Sequence, residues 1–154
     1  MGASLKPELE HVFDVDVVVE EPIEIGETGS GIRRIIPIAE GTITGDIEGH
    51  ILPGGADYQL FRVDGPSELV AHYGFETDEG DRVYVHNRGI RHATPEIKEK
   101  LGAGEEVDQD AVYFQSTPTF EVSNPSLSWL TEHVFIAAGE RQPLGVRLAV
   151  FKVV

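Results

Sequence analysis

The sequence predicts an all-β chain folded as a single closed or nearly closed antiparallel barrel of about nine strands with one short helix. Three observations carry this. Apolar and polar residues alternate with period two in several stretches. Turns rich in Gly and Pro recur at short intervals. Glycines stand at 41, 45 and 49 inside a β-type run, the kind of spacing that lets strands bend at barrel corners.

Residues 1–10 read as an arm outside the regular pattern. In 11–19, Phe13, Val15, Val17 and Val19 share one face and Asp14 and Asp16 the other, which is a half-buried strand stopped by Pro22. Residues 26–31 form a Gly-rich loop. The spacing is wrong for a dinucleotide fingerprint, and the β-branched run after it is no helix to receive a pyrophosphate. Strands follow at 32–38 and 39–52. The run breaks at Pro53-Gly54-Gly55 and resumes over 57–63, with Asp57 and Gln59 on one face. Residues 68–77 and 82–88 form a hairpin about Asp78-Glu79-Gly80. The helix spans 94–102, with a Thr cap, Pro at the first helical position and a terminal Gly. Three further strands are expected at 112–121, 129–138 and 144–153. No linker or repeat divides the chain, so residues 1–154 read as one domain.

The charge is lopsided: 27 Asp plus Glu against 12 Lys plus Arg, formally −15. Such a surface repels phosphate backbones and argues against nucleic acid as a partner. It also fits a salty cytoplasm. No apolar run approaches a membrane span and no leader pattern is visible, so a cytoplasmic location and no membrane partner are expected. With no cysteine, thiol chemistry is excluded. Six histidines lack any metal-binding spacing, and no metal or other cofactor is expected. A Gly-x-Ser-x-Gly elbow is also missing.

A small barrel has an interior in which inward polar residues can build a ligand pocket. Asp57 and Glu121 would meet there, and burial would raise one carboxyl's pKa until it serves as a general acid or base. The competing reading has Asp57 capping the Pro-Gly-Gly corner and Glu121 facing water. Asn87 falls at the inward end of its strand, and Arg91, near the barrel mouth, would bind a carboxylate or enolate oxygen or else pair with a surface acid.

Gly31-Ile32-Arg33-Arg34-Ile35-Ile36-Pro37-Ile38, Leu52-Pro53-Gly54-Gly55-Ala56-Asp57-Tyr58-Gln59, Ala71-His72-Tyr73, Asn87-Arg88-Gly89, Pro118-Thr119-Phe120-Glu121 and Trp129-Leu130 together carry a resemblance across nearly the whole chain. The sequence resembles the family catalogued as domain of unknown function 3237. That resemblance implies a lipocalin-like or allene-oxide-cyclase-like barrel that associates with itself, so a homo-oligomer is expected. It also implies a small-molecule ligand, since cofactor-free ring closure or isomerisation has been suggested for some similar members. His72 stands where the family pattern has Arg, and Tyr58 where Trp is common.

The combined expectation is a barrel that catalyses cofactor-free proton transfer. Asp57, Glu121 and His72 would be catalytic. Gln59 and Asn87 would orient an oxygen, Arg33 or His72 would face developing negative charge, Arg91 would bind substrate, and Trp129 would wall the pocket. A ligand carrier or a filled structural barrel are the alternatives.

Overall fold

A computed structural model describes residues 5–154. Ten strands, β1 (Leu9–Val19), β2 (Ile23–Thr28), β3 (Gly31–Gly45), β4 (Gly49–Ile51), β5 (Ala56–Phe61), β6 (Ser67–Thr77), β7 (Arg82–His92), β8 (Tyr113–Val122), β9 (Phe135–Gln142) and β10 (Gly145–Val153), form one antiparallel sheet. It closes because β1 pairs with both β10 and β3. β4 and β5 lie end to end between β3 and β6 and act as one interrupted stave, so the barrel has eight staves. β2 is an extra edge strand on β3. One α-helix, α1 (Pro95–Gly102), follows β7; its Thr94 cap accepts a hydrogen bond from the Ile97 amide.

One end of the barrel is packed. Phe13, Val15, Ile43, Phe75, Val83, Val85, Phe120, Leu130, Phe135, Leu148 and Val150 are buried together there, and Phe75 has no exposed surface. All but Leu130, which the turn after β8 supplies, come from alternate positions of their strands, as a period-two chain with one face inside requires. The expected hairpin forms across β6 and β7, with Glu76 opposite Arg82.

The Pro53-Gly54-Gly55 break sets the register of the interrupted stave. Gly54 takes a positive φ of 104°, and a Cβ on Gly55 would lie 2.5 Å from Tyr73 Cβ. The Gly55 carbonyl accepts from the Ile38 amide, which ties the corner to β3. β5 then starts with Asp57 facing inward opposite Ile36.

Four sequence expectations change. Residues 26–28 belong to β2, where a register shift between Glu24 and Gly26 accommodates the glycine, and the turn shrinks to residues 29–30. The predicted strands 32–38 and 39–52 divide differently, because β3 runs unbroken to Gly45. Residues 129–134 are not strand. Asn124 caps a 3-10 turn over Pro125–Leu130 by accepting from the Ser126 amide, and this turn takes Trp129 out of β9. Leu9 and Glu10, expected in an arm, pair with β10; residues 1–4 of that arm lie outside the described residues. No helix among the described residues is long and apolar enough to cross a membrane.

Candidate functional site

The end of the barrel opposite the packed core is open. A cavity of about 880 Å³ lies there among the inward residues of β3, β5, β7, β9 and β10 and is bordered by α1. Its apolar lining includes Ile32, Ile36, Phe61, Leu144 and Val146. Its charged lining is balanced where the chain as a whole is acidic: Arg34, Arg91 and Arg141, with Lys98 from α1, face it together with Asp57, Glu20, Glu21 and Glu24, and Gln59 adds an amide.

Strand parity explains the arrangement. Asp57, Gln59 and Phe61 are alternate residues of β5 and face inward, while Tyr58 points out and is exposed. On β3 the register pairs Ile36 with Asp57, Arg34 with Gln59 and Ile32 with Phe61, so the inward arginine of the Arg33-Arg34 pair is Arg34. Arg91 is opposite Ser67 on one side and Phe114 on the other.

Gln59 Nε2 donates to Asp57 Oδ2 at 2.8 Å. Asp57 Oδ1 and Gln59 Oε1 are buried without a hydrogen-bond partner. Burial raises the Asp57 pKa above its ordinary value, and the Gln59 hydrogen bond and the Arg91 charge only partly offset it. Arg91 shows the complementary effect. Burial lowers its pKa, Asp57 opposes that, and Arg141 and Arg34 add like-charge repulsion. The Arg34 and Arg91 guanidinium carbons lie 5.4 and 5.9 Å from the Phe61 ring centroid, and Arg91 is also 5.9 Å from that of Phe114. At the rim, Arg34 Nε is 3.0 Å from Glu24 Oε1, although the Nε–H is not directed at it. Arg141 donates to the Leu101 carbonyl of α1 at 3.2 Å.

Of the residues expected at the site, Asp57, Gln59 and Arg91 meet at this cavity. Asn87 is buried on the same rung as Asp57, across Ala71, with its Oδ1 unpartnered, but it does not line the cavity. The other four lie elsewhere. Glu121 is exposed, because Ser116, Pro118 and Phe120 take the inward positions of β8; the Asp57–Glu121 pair does not form. His72 is on the outer wall, 2.8 Å from the Tyr84 hydroxyl and against the His86 ring. Arg33 is exposed on the outward parity of β3. Trp129 packs on Phe135 at the start of β9, the end away from Arg141. Arg34 and Arg141 were not singled out from sequence. The parity of Ile32, Arg34 and Ile36 would have pointed to the first, but Arg141 reaches the site only through barrel closure.

Comparison with known proteins agrees with the fold. The model of the family described as "Protein of unknown function (DUF3237)" matches residues 7–153. A "UPF0311 protein" of Rhodopseudomonas palustris strain TIE-1 is 44% identical over 135 residues, covering 87% of this chain and 88% of its own. The crystal structure of a conserved protein of unknown function from Rhodopseudomonas palustris is 39% identical with a TM-score of 0.93, covering 98% of this chain and 100% of that one. A beta-barrel like protein from Acinetobacter baumannii is 32% identical with a TM-score of 0.85 over 100% of both chains.

Proposed function

The chain belongs to the DUF3237 family of proteins of unknown function, and from the geometry of its cavity we propose that it binds a small organic molecule and moves a proton on it without a cofactor. The observation that carries this is Asp57: a buried carboxyl with raised pKa, one oxygen held by Gln59 and the other unpartnered, beside a cavity large enough for a ligand.

In this reading the ionised Asp57 takes a proton from a C–H next to a carbonyl of the bound molecule. The electron pair left behind moves onto the carbonyl oxygen, where the positive charge of the cavity's arginines meets it. Asp57 then returns the proton to a different atom, so the net change is an isomerisation. In a ring closure it takes the proton of the attacking hydroxyl instead and returns it to the atom that accepts the electrons. One carboxyl suffices for either course, so the outward position of Glu121 removes a partner but not the chemistry.

The test uses a carbon acid as probe. Exchange of the α-proton of 2-acetylcyclohexanone in D2O, followed by proton NMR, should be faster with the wild-type protein than with buffer, and should fall to the buffer rate with Asp57→Asn. A folded Asp57→Asn protein that exchanges as fast as wild type contradicts the proposal. The carrier reading keeps the same cavity and differs in one result: binding without accelerated exchange.

A further inference from the structure

The cavity's charge does not match the rest of the molecule. On the outer surface, Arg62, Arg82, Arg88 and Arg147 each meet a carboxylate within 3.3 Å. With 27 acids in the chain, partners are plentiful. Yet Arg91, among the described residues, has no carboxylate within 4.0 Å and no hydrogen bond; its guanidinium rests on Phe61 and Phe114 instead. Arg141 spends one N–H on the Leu101 carbonyl and, among the described residues, has no ion pair either. Arg34 has the rim carboxylate of Glu24 beside it, while its own Nε–H stays buried and unbonded. Asp57 has its oxygen Oδ2 on Gln59, and Glu20, Glu21 and Glu24 also line the cavity without contacting Arg91.

A mostly buried guanidinium without an anion is costly, and placing others near it adds repulsion. A fold retains such a cluster where an anion from outside completes it. The guanidinium's planar fork suits a carboxylate, which it can hold through two parallel hydrogen bonds. Phe61 lies beside that fork and Ile36 and Val146 also line the cavity, which suits an apolar body.

We propose that the molecule taken by this cavity is an organic acid with an apolar ring body, its carboxylate anchored by Arg91 and flanked by Arg34 and Arg141. This rests on the reading that the cavity is a small-molecule site, and it names the substrate class.

The experiment compares 2-naphthoate with its neutral isostere 2-naphthamide by calorimetric titration of the wild-type protein. Naphthoate should bind about tenfold or more tightly than the amide, the margin expected of a charge-assisted pair. Arg91→Gln should erase most of that preference, and Arg141→Gln, at an exposed position, should reduce it. Equal binding of acid and amide, or no binding of either, overturns the proposal, as does a preference unchanged in both variants. Its failure is distinguishable from that of the proton-transfer reading. Accelerated exchange of the diketone without an acid preference overturns only the substrate class. Acid preference without exchange supports the substrate class and overturns only the chemistry.

Discussion

Gln59 and Asp57 stand two residues apart on one face of β5, and the 2.8 Å hydrogen bond between them divides the carboxyl: Oδ2 is held and Oδ1 is buried without a partner. An amide donor favours the ionised carboxyl, so this bond opposes the upward effect of burial. Replacing Gln59 by Leu removes it. The pH midpoint of diketone exchange should therefore move upward in Gln59→Leu, and a downward move would show that Gln59 does not stabilise the anion.

Stability should show the same imbalance. The folded protein binds the Asp57 proton more tightly than the unfolded chain, whose carboxyl titrates near the ordinary aspartate value of 3.8. As pH rises through the interval from that value to the folded pKa, this group's contribution to stability falls. Asp57→Asn lacks the titration. Urea denaturation of both proteins should show the variant gaining on wild type between acid and neutral pH, at the expense of exchange activity. A constant difference across that range would contradict the raised pKa.

The corner before β5 sets where Asp57 points. Gly55→Ala would force a Cβ to within 2.5 Å of Tyr73 Cβ and 3.0 Å of the His72 carbonyl oxygen. A loss of about 1–3 kcal/mol in denaturant midpoint analysis is expected, together with loss of exchange activity as the β5 strand shifts. Gly54→Ala meets nothing within 4 Å and pays only for its positive φ, about 1–2 kcal/mol, with activity retained.

Phe75 lies at the packed end and is not among the residues that line the cavity. Phe75→Ala should cost about 3–5 kcal/mol of stability, read by urea denaturation. The exchange rate per folded molecule should be unchanged. A selective loss of exchange would mean that the two ends of the barrel are coupled.

Local signals carried well from sequence to structure. The alternation of Phe13, Val15 and Val17, the turn at Asp78-Glu79-Gly80 and the Thr94 cap all act within a few residues, and each appears where expected. Asp57 and Gln59 share a face for the same reason. Glu121 was misplaced because its strand could be read in either parity, and Phe120 takes the inside. The 3-10 turn at Trp129 had a signal in Asn124-Pro125, a capping residue followed by a helix-starting proline, which the strand-like run after it obscured. The arginine cluster was the least legible feature. Arg34, Arg91 and Arg141 come from three strands that only the closed barrel brings to one end.

The most direct measurement of the central claim is a carbon-13 NMR titration of the Asp57 side-chain carboxyl in the wild-type protein. A carboxyl that is poised to accept a substrate proton should titrate above 3.8, as burial dictates. Titration at or below that value would mean that Arg91 holds Asp57 as a permanent ion-pair partner. The proton-transfer account would then be wrong, and the cavity would be left as a binding site alone.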